Sequence, residues 1–168
     1  IAEGKLKRLI VCLPPRHSKS EFASTFFPAW MMGRRGNLKI IQTTHTAELA
    51  VRFGRKVRNI IDSTEYQHIF PDLKLQADNK SAGRWTSNQE GEFFAAGVGG
   101  AITGRGADLL IIDDPHSEQD ALSPKSLESA YEWYTSGPRQ RLQPGGIIVI
   151  VMTRWSTKDL VGKVLKKQ

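Results

Sequence analysis

The chain is 168 residues long, enough for one domain with a real core and too short for a second large one. Its single cysteine, Cys12, excludes a disulfide framework and a cysteine-rich zinc site, fits a reducing compartment, and is expected in the core. A formal charge of +7, from 24 Lys and Arg against 17 Asp and Glu, favours a polyanionic partner without specifying one, and no apolar run approaches the roughly 18 residues of a membrane span.

Leu6 to Leu13 (LKRLIVCL) turns almost wholly apolar after Arg8, as a parallel strand covered on both faces does, and Pro14-Pro15 ends it. From Lys19 onward, Phe22, Phe26 and Trp30 fall at helical spacing, with Gly33 and Gly36 closing the segment. Lys39 to Thr44 (KIIQTT) is the next strand. Thr44 or Thr46 can cap the helix that follows, whose apolar stripe is Leu49, Phe53, Val57, Ile60 and Ile61. Between Asp62 and Gln89 the periodicity fades, and Pro71 and Gly83 imply loops and small strands. Glu92 to Val98 then reads as β.

Asp108 to Asp113 (DLLIID) is a second buried strand, and Ser123-Pro124 opens a helix with Leu127, Ala130, Tyr131 and Tyr134 in register until Pro138 stops it. Gly146 to Met152 is a third, followed by Thr153-Arg154-Trp155 and a final helix beginning near Ser156 or Thr157. The basic pattern from Lys158 runs to Gln168, where the sequence stops, and it starts at Ile1 rather than Met, so a piece of a longer protein is expected. With neither signal peptide nor membrane span, the expectation is a soluble, intracellular domain over residues 1–168. Strands alternating with helices predict a mostly parallel α/β sheet flanked by helices.

Ligands of such sheets sit beyond the carboxyl ends of the strands, which here carry Pro14 to Ser20, Asp113-Asp114 and Thr153-Arg154. A loop entering a helix at Lys19 aims unpaired N–H groups and the positive dipole end at one spot, a setting for phosphate. The closing Lys-Ser of a phosphate loop is present, but its two glycine positions are Leu13 and Ser18, so left-handed backbone at Ser18 would cost roughly a kcal/mol. Alone, the stretch also reads as a basic turn opening a helix. Leu109 to Ile112 deliver two carboxylates to the same edge. Asp113 can hold Mg²⁺ through water while Asp114 orients or deprotonates water, roles that need separate groups; alone, Asp113-Asp114-Pro115 also reads as an acidic turn before a helix.

Thr153 could sense the γ-phosphate or the attacking water, or cap its loop. Arg154 could report hydrolysis to a neighbouring surface, or pair with an acid. The five glycines of GVGGAITGRG (97–106) precede a strand rather than a helix, so they are no dinucleotide fingerprint. That loop carries Arg105, either a candidate arginine finger or a solvated side chain. His17, His45, His68 and His116 lack metal-ligand spacing and a nucleophile partner.

These blocks, LPPRHSKSE (13–21), GVGGAITGRGADLLIIDDP (97–115) and VMTRWSTKDLVGKVL (151–165), resemble the ATPase domain of large terminase subunits, the DNA-packaging motors of tailed bacteriophages and prophages. The resemblance implies an additional-strand P-loop NTPase fold. Its ATP-binding loop would be Pro15, Arg16, His17, Ser18, Lys19, Ser20 and Glu21, with Ser20 and Asp113 serving Mg²⁺. Asp114 would be the catalytic base, Arg105 approximately the loop arginine, and Thr153 and Arg154 the coupling segment. It also implies double-stranded DNA, a portal and procapsid, a small terminase subunit, a ring of copies and the cytoplasm of an infected bacterium.

Two departures stand out: such loops commonly read PPRHGKS where this one has Ser18, and Asp114 stands where several relatives have Glu. Nothing matches the family's C-terminal nuclease domain. Arg34, Arg35, Arg52, Arg55 and Lys56 are the candidates for DNA contact. A helicase-like translocase and a catalytically weak nucleotide-binding or DNA-binding scaffold are the rival readings.

Overall fold

The computed structural model describes residues 1–167, and of residues 78–80 the backbone alone; Gln168 lies outside the described residues. Seven strands, β1 (Arg8–Cys12), β2 (Lys39–Thr44), β3 (Leu75–Lys80), β4 (Arg84–Ser87), β5 (Glu92–Gly97), β6 (Ala107–Asp113) and β7 (Leu142–Met152), form one sheet in the order β1-β7-β6-β2-β5-β4-β3. The first five in that order run parallel, and β4 and β3 add an antiparallel margin. The expected mostly parallel α/β sheet is therefore present. Because β7 is inserted between β1 and β6, the loops after β1 and β6 face each other across the end of β7.

Alternation along the strands supplies both cores. Leu109 and Ile111 of β6 face one layer, and Leu110 and Ile112 the other. The first layer contains α1 (Lys19–Glu21) and α2 (Phe27–Arg34), joined by a π turn at Phe22–Phe26, together with α3 (Ala47–Ile61) and α4 (Thr64–Ile69). On the opposite face, beyond the short α5 (Glu118–Ala121), lie α6 (Pro124–Ser136) and α7 (Leu160–Lys166). The buried residues of α6 are Leu127, Ala130, Tyr131 and Tyr134, the predicted stripe. Thr46, not Thr44, caps α3, accepting the Leu49 N–H at 3.2 Å. Within α3, Gly54 lets the helix close on the sheet margin: a Cβ there would meet the Ala82 carbonyl at 2.6 Å.

Four expectations are corrected. β1 is an edge strand, paired only with β7, so its apolar residues are half-buried and Cys12 is exposed rather than core. An apolar run signals a strand but not its place in the sheet. Phe22, Phe26 and Trp30 are not the buried stripe of the first helix: they are 67%, 48% and 41% exposed, and Ser24, Thr25, Pro28, Ala29, Met31 and Met32 are buried instead.

The cause is Pro28, which has no N–H for the Ser24 carbonyl, so the backbone widens into a π turn whose extra residue rotates the helical faces. Gln42 of β2 fills the vacancy, its amide donating to the Ser24 carbonyl at 3.0 Å. Third, the 62–89 region contains a helix, α4, capped by Ser63 and anchored by Tyr66, whose hydroxyl donates to the Ala29 carbonyl at 2.8 Å. Fourth, the last helix starts at Leu160 because Asp159 is its cap, accepting from Gly162 N–H at 2.8 Å.

Candidate active site

The carboxyl edge of the sheet brings the ends of β1, β6 and β7 together. Helical residues begin immediately at Lys19, with no side-chain cap from Ser18, which leaves N–H groups of the first turn without intrahelical partners. Ser18 sits at φ 56°, ψ 14°, and Arg16 at φ 62°, both left-handed. The loop thus takes the glycine-type conformation without glycine, a strain of about 1 to 2 kcal/mol per residue.

Lys19 is 8% exposed and its Nζ lies 2.8 Å from Asp114 Oδ2. Ser20 donates its hydroxyl to Asp113 Oδ1 at 2.9 Å. The remaining Asp114 oxygen accepts the Thr153 N–H at 2.8 Å. Lysine, hydroxyl and two carboxylates thus form one connected set spanning three strands. Asp114 itself stands at φ 40°, a left-handed turn that directs the two consecutive carboxylates of Asp113 and Asp114 to separate partners.

Asp113 is 1% exposed, and its Oδ2 has no hydrogen-bond partner among the described residues. Burial raises its pKa from 3.8 to about 6, against the lowering influence of the Ser24 and Ser20 hydroxyls and of Lys19, with Asp114 adding to the rise. The Ser24 hydroxyl faces this carboxyl without an ordinary hydrogen bond. Thr25 Oγ1 and Gln42 Oε1 are likewise buried and unpartnered. Ser24, beside Asp113, and Gln42, bonded to the Ser24 carbonyl, were not singled out in the sequence. Their signals were a lone Gln inside KIIQTT and the adjacent Ser-Thr one turn beyond Lys-Ser.

The other expected site residues divide. His17 is exposed, its Nδ1 2.9 Å from the Pro15 carbonyl, which braces the loop. Thr153 reaches the Leu13 carbonyl with its hydroxyl at 3.4 Å, tying β7 to the loop. Glu21 turns away and pairs with Lys56 of α3 at 2.8 Å. Arg154 lies at the edge with its Nε 2.9 Å from Asp159, an acid that also accepts N–H groups of Trp155, Ser156 and Gly162.

Arg105 is not brought to the site. The 98–106 segment crosses back over the sheet, so Arg105 lies before the first residue of β6 while Asp113 ends it, about 20 Å of strand away. There it pairs with Glu92 and its guanidinium covers the Phe94 ring at 4.0 Å.

Among the described residues, no cluster of three or more His, Cys, Asp or Glu side chains has the makings of a metal centre. Ser20 Oγ and the buried Asp113 oxygens form a sparse, hard-oxygen donor set. That set fits Mg²⁺, which keeps most of its waters and takes few protein ligands. Among the described residues, no helix is long and apolar enough to cross a membrane.

In sequence the chain matches no family model and no curated protein. In fold it is similar to the large terminase of bacteriophage HK97, with a TM-score of 0.66 and 13% identity over 99% of this chain. The large terminase of a thermophilic bacteriophage, solved in complex with ADP, aligns over 87% of the chain at 14% identity with a TM-score of 0.47. The chain spans 33% of the length of each of those proteins. The first likeness covers the whole sheet and both helical layers, and at such identity what it establishes is the architecture.

Proposed function

We propose that this is the Mg²⁺-dependent ATPase domain of a DNA-packaging motor of the large-terminase kind, a P-loop NTPase of the additional-strand class. The observation that carries the reading is the convergence of Lys19, Ser20, Asp113 and Asp114 at one sheet edge, with β7 inserted between the two strands that deliver them. The fold similarity to the HK97 large terminase, over 99% of this chain and 33% of that protein, supports it.

In this reading the loop from Pro15 to Ser20 wraps the phosphates, and Lys19 leaves Asp114 to take their charge. Ser20 and Asp113 hold Mg²⁺, which when bound neutralises and polarises the terminal phosphate. Asp114, released from Lys19, orients or deprotonates the attacking water. Since Asp114 also holds the Thr153 N–H, its movement is transmitted to the Thr153-Arg154 segment, the proposed coupling element. Arg105 can serve only a neighbouring subunit's phosphates, within a ring assembled on a portal. Duplex DNA, a procapsid and a small terminase subunit are the partners this reading requires.

The test is phosphate release from ATP with and without Mg²⁺ and duplex DNA. Mg²⁺-dependent release stimulated by duplex supports the motor. Release coupled to strand separation would transfer the domain to the helicases, and ATP binding without release would leave only a scaffold.

A further inference from the structure

The basic residues are not evenly spread. The edge opposite the phosphate loop, where the parallel strands begin, carries Lys7 and Arg8 at β1, Arg34 and Arg35 around the end of α2, Lys39 at β2, and Arg139 just before β7, all exposed. Three acids stand among them, one of which, Glu92 in register with Lys39, is held by Arg84 and Arg105. Asp108 accepts the Lys39 N–H at 2.9 Å and lies 3.6 Å from Arg35, and Glu3 pairs with Lys5 at 2.9 Å. Lys7, Arg34 and Arg139 have no carboxylate partner among the described residues.

The edge is concave: Lys7, Arg34, Arg35 and Asp108 line a cavity of about 260 Å³ against the turn at Pro144, Gly145 and Gly146. Gly4 and Gly145, both at positive φ, lie beside the Lys7 ammonium.

We propose that this amino edge of the sheet is where the domain grips duplex DNA by its phosphates. Width argues for a duplex. From β1 to β2 there are three strand spacings, about 14 Å, so Lys7 and Arg8 form one row and Arg35 and Lys39 another. A single strand offers one line of phosphates, whereas a duplex groove about 12 Å wide is flanked by two. The alternative face, along α3, is weaker: Lys56 is already held by Glu21, which leaves Arg52 and Arg55 on a convex helix.

The choice of DNA among polyanions rests on the motor reading, but the location of the surface does not. The placement also supplies a mechanical link. Lys19 opens and Arg34 closes one helical rod, about 22 Å long, with the π turn as its flexible point.

The test is anisotropy of a labelled 30-base-pair duplex over a salt series, with thermal melts as a folding control. Lys7→Glu/Arg34→Glu should weaken binding about tenfold or more and flatten the salt dependence by about two contacts. Arg52→Glu/Arg55→Glu should stay within about twofold. Should the charge reversal impair folding, Lys7→Gln/Arg34→Gln carries the same expectation for the salt slope. Unchanged binding by natively folded edge variants, loss confined to the α3 pair, or no duplex binding by the unaltered chain at low salt overturns the proposal. Phosphate release measured on the same proteins separates the two readings. Duplex held at this edge without any release sinks the motor and keeps the surface, whereas release with duplex held along α3 does the reverse.

Discussion

Lys19 Nζ and Asp114 Oδ2 stand 2.8 Å apart, so the cation proposed to hold phosphate and the carboxylate proposed to act on water neutralise each other. A phosphate entering the loop must separate them, which sets Asp114 free at the moment it is needed. Asp114→Asn should therefore bind ATP as tightly as the parent or several-fold tighter, since Lys19 is no longer occupied. Hydrolysis should fall by about a hundredfold or more. Equilibrium binding of a fluorescent ATP analogue beside phosphate release checks both halves. A folded variant that loses binding, or that turns over normally, removes Asp114 from this role.

Asp113 makes the stability of the domain pH-sensitive. Its pKa is raised by burial to about 6 from 3.8, so the folded chain holds this proton more tightly than the unfolded one. The resulting stabilisation is fully present below about pH 4 and is lost as pH rises through about 6. At neutral pH the buried charge costs up to about 3 kcal/mol. Asp113→Asn should accordingly melt higher than the parent at pH 7.5, with the difference closing near pH 4, while losing Mg²⁺-dependent phosphate release. Thermal melts across that range would show it, and a variant less stable at pH 7.5 would contradict the assignment.

Ser18 holds a left-handed conformation at φ 56° that a side chain disfavours. Ser18→Gly should raise the unfolding free energy by roughly 1 kcal/mol, less the entropy that glycine adds to the unfolded chain, and Ser18→Val should lower it by more. Urea denaturation of the pair gives the sign.

Asp159 anchors the Arg154 to Ser156 segment, which carries half of the proposed coupling element. Burial by itself would raise its pKa, but the Arg154 guanidinium and the N–H groups of Gly162, Ser156 and Trp155 together outweigh it and hold the carboxyl below its ordinary value. Its stabilisation is present at neutral pH and lost as pH falls below about 4. Asp159→Ala strands those donors and uncaps α7, at a cost of about 3 kcal/mol or more. Asp159→Asn keeps part of the cap and should cost less. Denaturation midpoints at pH 7 and pH 3.5 test both statements.

How much was legible follows from which physics leaves a local trace. Leu109 to Ile112 and the stripe of α6 were readable because burial imposes a period on sequence, and both elements stand where expected. The first helix misled for a local reason of another kind: Pro28 lay in plain view, but the π turn it forces shifts the buried face onto Ser24, Thr25 and Met32. The placing of β1 at the sheet edge, and of Arg105 at the far end of β6, depends on strand order, which no local pattern encodes. The Lys19–Asp114 pair joins residues far apart in the chain, and only the sheet brings them together. Gln42 and Asp159 were single polar letters whose meaning is fixed by hydrogen-bond partners, the Ser24 carbonyl for the first and Arg154 with the N–H groups of Trp155, Ser156 and Gly162 for the second.

The most direct test of the account is steady-state phosphate release from Mg²⁺-ATP by the parent chain and by Lys19→Ala, with thermal melts confirming that both are folded. The prediction is measurable release by the parent and a loss of about a hundredfold or more in the variant, because Lys19 is the buried cation at the start of the helix that follows the loop. Equal release by a natively folded Lys19→Ala protein would contradict a phosphate site built on this lysine.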